Sequence, residues 1–319
     1  MKNIGIFGAK GMVGSTMHKV VKERNLPYGN LYLFDAEASE GILAFSPDVF
    51  EKYKLDIALF AVSGDFSREF APAAVKAGCT VIDNSSAWRM EPDIPLIVPE
   101  VNADEIPENY TGIIANPNCS TIQAVVALNP LHKAYKIKRI VYSTYQSVSG
   151  AGNAGIADLE RTAKGEAPRQ FPYPIAGNVI PRIDLFNEDG YTLEEMKLVN
   201  ETQKILKAPD IRVTATAVRV PVAVGHSESV NVTFENDFEL SDIWRILGDA
   251  PGIVVNDEIA VDGYPTPKET AGTDMVYVGR IRRDFSEDNS LNMWVVADNV
   301  RKGAATNAVQ IAEVILRGR

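Results

Sequence analysis

The chain opens on a short apolar run, NIGIF at 3–7, with glycines directly behind it. From Met12 to Val21 apolar positions recur at helical spacing. LYLF at 31–34 and IALFAV at 57–62 are continuous apolar runs of strand length. Residues Asp65 to Ala77 predict a helix, and TVIDN at 80–84 predicts the next strand. Strands alternating with helices imply parallel βαβ units, so the first ~115 residues read as a doubly wound sheet.

The pattern changes after Cys119. Residues 119–135, CSTIQAVVALNPLHKAY, have helical character, with a break expected near Pro130 because proline lacks the helical N–H. Residues 137–149, IKRIVYSTYQSVS, are too β-branched for a helix and predict a strand. Further strands are expected at 212–220, 228–235, 275–283 and 291–297, and several alternate apolar with polar residues. That alternation suits a sheet with one covered face. Helices are expected at 152–164, 193–206 and 240–248, and an amphipathic helix at 301–317. The Gly-, Pro-, Asn- and Asp-rich segment 165–190 reads as a long loop. The second part is thus α+β.

Composition narrows the function classes. In 319 residues there are 32 Lys+Arg against 42 Asp+Glu, a formal net charge of −10. Nucleic-acid binding without sequence preference depends on basic surface, as does attraction to an anionic membrane, so neither is expected. A small anionic substrate held by a few local cations remains compatible. No window approaches 18 uninterrupted apolar residues, and MKNIGIFGAKGMVGS does not read as a signal peptide. A soluble, cytoplasmic protein is expected. The two cysteines, Cys79 and Cys119, do not make a disulfide framework, and no metal site is expected.

Gly8, Gly11 and Gly14 fall three residues apart, between a predicted strand and a predicted helix. Such a loop turns tightly, lets a pyrophosphate approach the backbone, and leads into a helix N-terminus with open N–H groups. A glycine triplet alone also marks a turn needing positive φ; its place at the head of a βαβ pattern favours dinucleotide binding. The second strand ends Phe34-Asp35-Ala36-Glu37, with no Arg nearby. An acid there binds ribose hydroxyls of NAD, whereas Arg accommodates the 2′-phosphate of NADP. The same residues also read as a solvated acidic turn.

Cys119 stands in Ala115-Asn116-Pro117-Asn118-Cys119-Ser120-Thr121, where a Pro turn passes into a helix. A helix N-terminus stabilises a thiolate, the nucleophile of acyl transfer. Cys79, entering a strand, reads as a core residue. His18 reads as a surface residue and His132 as structural. His226, in Gly225-His226-Ser227 between two predicted strands, is placed where a loop presents an imidazole to a cleft, although a structural role fits it as well.

Seven ordered motifs spanning almost the whole chain make the sequence similar to the aspartate-β-semialdehyde dehydrogenase family. They are GAKGMVG near the start, NSSAWR at 84–89, NPNCST at 116–121, QSVSGAG at 146–152, ETQKIL at 201–206, RVPVAVGHSE at 219–228 and DNVRKGAATNAVQIAE at 298–313. The resemblance implies a Rossmann-like dinucleotide-binding domain at 1–118, completed by a C-terminal helix at 300–319. It implies an α+β catalytic and dimerisation domain at 119–299, and a homodimer. It makes Cys119 the acyl-enzyme nucleophile, Gln146 the residue that orients the thioester, and His226 the general acid/base. Arg219 and Glu201 then clamp the α-carboxylate and α-amino group, and Arg89, Lys204 and Asn118 form a phosphate site. Cofactor contacts fall to Gly8, Lys10, Gly11, Met12, Val13, Asp35, Ser63, Ser149, Gly150 and Asn299. Charge chemistry agrees, since guanidinium binds carboxylate and phosphate through paired N–H groups. Glu201 and Lys204, three apart on a predicted helix, share a face, which also fits a plain surface ion pair.

The implied reaction is reductive dephosphorylation of β-aspartyl phosphate to aspartate β-semialdehyde and phosphate, in lysine, threonine and methionine biosynthesis. The sequence departs from the family in the cofactor half. Lys10 stands where Thr is usual, the stretch from Asp35 to Leu55 is short, and the NADP-type Arg is missing. NADP is implied by the resemblance, while NAD is expected to be usable or preferred. Alternatives are another acyl-phosphate or acyl-CoA reductase of the superfamily, such as N-acetyl-glutamyl-phosphate reductase, and a catalytically idle dimeric paralogue. The Glu201 clamp argues against the first, and the intact Cys119, Gln146, Arg219 and His226 against the second.

Overall fold

A computed structural model describes residues 1–317. The last two residues of the expected C-terminal helix, Gly318 and Arg319, lie outside the described residues. The chain divides into two compact units, Met1–Pro117 with Ala304–Arg319, and Asn118–Gly303.

The first unit contains β1 (Lys2–Phe7), α1 (Met12–Glu23), β2 (Tyr28–Asp35), β3 (Leu43–Ala44), α2 (Val49–Lys52), β4 (Ile57–Phe60), α3 (Gly64–Lys76), β5 (Thr80–Asp83), α4 (Pro99–Asn102) and β6 (Ile113–Ala115). Its strands form one parallel sheet ordered β3-β2-β1-β4-β5-β6. That is the doubly wound order associated with dinucleotide binding. Period-two alternation assigns the faces. Ile4, Ile6, Ile57 and Leu59 pack on one side with Met17 and Val20 of α1. Phe7, Phe34, Phe50 and Phe60 pack on the other. Phe7 stacks on Phe34 at 4.8 Å between ring centroids and meets Phe60 edge-on at 5.0 Å. Each such buried ring contributes roughly 1.5–3 kcal/mol of transfer free energy.

The second unit contains α5 (Cys119–Tyr135), β7 (Ile137–Gln146), α6 (Gly152–Ala163), α7 (Leu193–Ile205), β8 (Arg212–Arg219), β9 (His226–Phe234), α8 (Leu240–Asp249), β10 (Ile253–Val255), α9 (Pro267–Thr270), β11 (Val276–Arg283) and β12 (Ser290–Ala297). The sheet is mixed, ordered β10-β11-β12-β9-β7-β8. β7 alternates buried and more exposed positions along its length, giving one covered face. No helix or strand interrupts 165–190, apart from the isolated bridges Ile180↔Arg219 and Phe186↔Thr192. The chain closes on a π turn, Arg301–Ala305, and α10 (Thr306–Arg317), which packs in the first unit against the core that holds α1.

Three expectations need correction. α5 is not broken at Pro130; it runs through to Tyr135. Proline costs one backbone hydrogen bond there, and burial of almost every residue from Ser120 to Leu131 outweighs that loss. β7 stops at Gln146 rather than 149, because Val148–Ala151 form a tight 3-10 turn. His226 is not on a loop; it is the first residue of β9 and fully buried. Among the described residues, no helix is long and apolar enough to cross a membrane.

Candidate active site

In the first unit the glycine loop closes the space between β1, β2 and β4. Gly8 and Ala9 donate their N–H groups to Phe34 O at 3.0 and 3.1 Å. Gly8 has φ +79°, and a Cβ on it would stand 2.3 Å from Ala61 O. A Cβ on Gly14 would stand 2.1 Å from Gly8 O. Neither position admits a side chain, so the loop stays thin. The α1 N-cap, Gly11, has no capping side chain, so the first-turn amides at Met12 and Val13 face outward as anion donors.

Beside this loop lies a cavity of about 680 Å³ lined by Gly8, Lys10, Gly11, Asp35, Phe45, Ser63 and Phe66, among others. Its size and mixed lining fit a nucleotide. Asp35 is pinned at its mouth, accepting N–H bonds from Lys10 and Ala36, both at 2.9 Å. Lys10 Nζ donates to Glu37 O at 2.7 Å, so an exposed cation and a fixed carboxylate occupy the same corner. Ser63 caps α3 by accepting from Phe66 N at 3.3 Å. Arg89 follows β5 and is buried, with Nη2 donating to Asn84 O at 3.0 Å.

In the second unit Cys119 is the first residue of α5, partly exposed. The N-cap Asn118 accepts from Ser120 N and Thr121 N at 3.0 and 3.3 Å through Oδ1. Its own N–H donates to Glu201 Oε2 at 2.7 Å, and its Nδ2 to Glu194 Oε1 at 2.9 Å. Gly303 gives Cys119 room, since a Cβ there would lie 2.9 Å from Cys119 Cβ. Lys204 lies one turn beyond the buried Glu201 on α7 and is half-buried.

Tyr145 pairs with Ser227 across β7 and β9, so Gln146 and His226 are adjacent on the covered face. His226 Nδ1 accepts the Ser147 N–H at 3.1 Å. The ring proton therefore sits on Nε2, which has no hydrogen-bond partner among the described residues. Burial, and then the Arg219 charge, hold His226 well below the ordinary histidine value, so it is neutral. Arg219 donates to Ser147 O at 2.7 Å and lies near enough to Cys119 to feel its charge. A Cβ on Gly150 would lie 2.6 Å from Arg219 Nη1 and 3.3 Å from His226 Nε2. Ser147 and Ser149 both donate to Asn299 Oδ1, as does Gly225 N, knotting the turn beneath His226. Cys79, by contrast, is enclosed, and burial pushes its thiol up. His132 accepts the Ile137 N–H at 3.0 Å, a structural use at the end of α5.

Sequence reasoning missed Glu194 and Lys197. Glu194 Oε1 receives both Asn118 Nδ2 and Gln146 Nε2, the latter at 3.2 Å. Lys197 Nζ bridges Glu194 Oε2 at 3.0 Å and Asp184 Oδ2 at 2.9 Å. The signal available was a helix start, Thr192-x-x-Glu195, in which Glu194 reads as an ordinary first-turn acid. It also missed Glu228, fully buried on β9, whose carboxyl is pushed well above the ordinary range by burial.

A parallel sheet in this order, a glycine loop and a nucleotide-sized cavity define a dinucleotide-binding protein, whose α+β unit carries a helix-capped cysteine suited to acyl transfer. Residues 3–109 match the family model described as semialdehyde dehydrogenase, NAD binding domain, and residues 128–302 match semialdehyde dehydrogenase, dimerisation domain. The aspartate-semialdehyde dehydrogenase of Aquifex aeolicus is 49% identical over 332 residues, covering 98% of each chain. That of Bacillus subtilis is 44% identical, with 98% and 96% covered. The crystal structure of aspartate semialdehyde dehydrogenase II complexed with ASA from Vibrio cholerae superposes with TM-score 0.92 at 44% identity, covering 99% of this chain and 98% of that one. The chain belongs to the aspartate-semialdehyde dehydrogenase family and is an NAD(P)-dependent oxidoreductase of amino-acid biosynthesis.

Proposed function

We propose that the chain converts β-aspartyl phosphate to aspartate β-semialdehyde and inorganic phosphate through a thioester on Cys119. The observation that carries this reading is the joining of Asn118, Gln146, Glu201, Arg219 and His226 around the start of α5. Cys119 sulfur attacks the acyl carbon, the carbon–oxygen bond to phosphate breaks, and the thiol proton leaves with the phosphate. Arg219 holds the α-carboxylate and Glu201 the α-ammonium, while Asn118, Lys204 and Arg89 serve the phosphate. When bound, the reduced nicotinamide supplies the hydride. His226 Nε2–H meets the carbonyl oxygen as negative charge grows on it, which lowers the barrier most in a dry site. Breakage of the carbon–sulfur bond releases the aldehyde and a thiolate, which takes one proton from solvent to restore the starting thiol. Because His226 offers a donor in its resting form, its first task in this scheme is oxyanion stabilisation.

Gly8, Lys10, Gly11, Met12, Val13, Asp35 and Ser63 are proposed to hold the coenzyme, with Ser149, Gly150 and Asn299 at its nicotinamide end. The pinned Asp35 carboxylate supports NAD as a usable or preferred coenzyme, since it repels a 2′-phosphate. The match to a dimerisation domain supports a homodimer, and the half-exposed Tyr145–Trp294 pair on the second sheet, 5.4 Å between centroids, offers it an aromatic face. The V. cholerae relative complexed with ASA supports the substrate. The test is phosphate-dependent oxidation of aspartate semialdehyde against N-acetylglutamate semialdehyde. Turnover of the first at least a hundredfold better is expected; faster turnover of the second overturns the reading.

A further inference from the structure

Gln146 is buried, and its amide makes side-chain contacts through one end only. Nε2 donates to Glu194 Oε1 at 3.2 Å and to Thr144 Oγ1 at 3.3 Å. An ionised carboxylate only accepts, so it cannot face the amide oxygen. Gln146 Oε1 makes no hydrogen bond to another described residue, and it is the end left for the reacting group. We infer that Glu194 is a positioning residue, which fixes the polarity of the Gln146 amide so that Gln146 presents an acceptor oxygen to the reacting centre. This rests on the reading of Gln146 as the residue that orients the thioester.

Three features suit Glu194 to the task. It sits in the first turn of α7, where the helix N-terminus favours negative charge. Burial alone would raise its carboxyl, but Lys197 and the amides of Asn118 and Gln146 outweigh burial and keep it ionised. Lys197 is itself held by Asp184, so the carboxylate is fixed from behind by the long 165–190 segment. Asn118 does not need Glu194 for its orientation, because its Oδ1 is already bound to two amides of α5. Gln146 has only the long Thr144 contact besides Glu194. The effect of losing Glu194 should therefore pass through Gln146. It also follows that Gln146 cannot be a donor to the oxyanion; that duty falls to His226 Nε2–H.

The test is the double variant Glu194→Met/Lys197→Met, which removes the acceptor without leaving a buried charge alone. The expected result is kcat down by about a hundredfold, the loss an ångström-scale misplacement of a reacting group brings, with KM for aspartate semialdehyde within about threefold. Glu194→Gln, which keeps an acceptor oxygen, should recover most of that loss. Adding Gln146→Ala to the double variant should lower kcat by less than about threefold more, since both act through one group. A kcat for the folded double variant within about threefold of the parent overturns the inference, as does a full multiplicative loss on adding Gln146→Ala. If Gln146→Ala alone is slow and the double variant fast, only this inference fails. If Gln146→Ala alone turns over like the parent, the reading of Gln146 fails and takes this one with it. Should the double variant not fold, Glu194→Asp, one methylene too short for Gln146, is read on the same scale: a comparable kcat loss supports the inference and parental kcat overturns it.

Discussion

Replacing Asp35 by serine removes a fixed negative charge from the lining of the nucleotide cavity. The carboxylate is tied by the amides of Lys10 and Ala36, both at 2.9 Å, so it cannot swing away from an incoming 2′-phosphate. Unit charges about 5 Å apart repel by ~0.8 kcal/mol in bulk water and ~3 kcal/mol at an effective dielectric of about 20. Asp35 is half-buried and Lys10, bound to Glu37 O, is an exposed counter-charge, so we take about 1–2 kcal/mol. At about 1.4 kcal/mol per tenfold, that is roughly a 5- to 30-fold gain in kcat/KM for NADPH relative to NADH. The serine hydroxyl can still accept one of the two amides, so loop stability should change by only about 1 kcal/mol. Initial rates with both coenzymes, on parent and Asp35→Ser, measure the shift. An unchanged NADPH/NADH ratio, or a parent that already favours NADPH a hundredfold, refutes the argument.

Two further predictions concern buried groups. Glu228 keeps its proton in the native state, whereas an ordinary carboxyl near 4.5 loses it in the unfolded chain. Native stability should fall as pH rises above that value, and the advantage of Glu228→Gln should grow with it in urea unfolding, by at most about 1.4 kcal/mol per pH unit; a constant difference contradicts this. Gly150→Ala puts a methyl 2.6 Å from Arg219 Nη1, which is anchored on Ser147 O and cannot yield cheaply. The KM for aspartate semialdehyde should rise about tenfold or more, with a stability loss of about 1–3 kcal/mol from the overpacking. An unchanged KM would show that Arg219 does not clamp the substrate.

The fold was legible wherever an element was long enough to show its period. β1, α1, β4, α3 and β5 each follow from runs of four or more residues. Leu43–Ala44, Ile113–Ala115 and Ile253–Val255 are too short for any period; neighbouring strands make them strands. Pro130 misled because a propensity rule was set against a helix whose stability comes from tertiary burial. Cys119 and the glycine loop were readable because local geometry gives them their chemistry. Glu194 was not: its partners Asn118 and Gln146 are 76 and 48 residues away, and only the folding of α7 onto α5 and onto β8, the neighbour of β7, joins them. His226 was readable as a candidate, but its tautomer depends on Ser147, 79 residues distant.

The most direct test of the Cys119 thioester is to trap it. The enzyme is incubated with aspartate semialdehyde and oxidised coenzyme without phosphate, quenched in acid, digested and examined by peptide mass spectrometry. An aspartyl group released by hydroxylamine should appear on the peptide carrying Cys119. It should be absent from Cys119→Ala, which should melt close to the parent and not turn over. An acyl group on any other residue, or parental turnover by Cys119→Ala, would contradict the account.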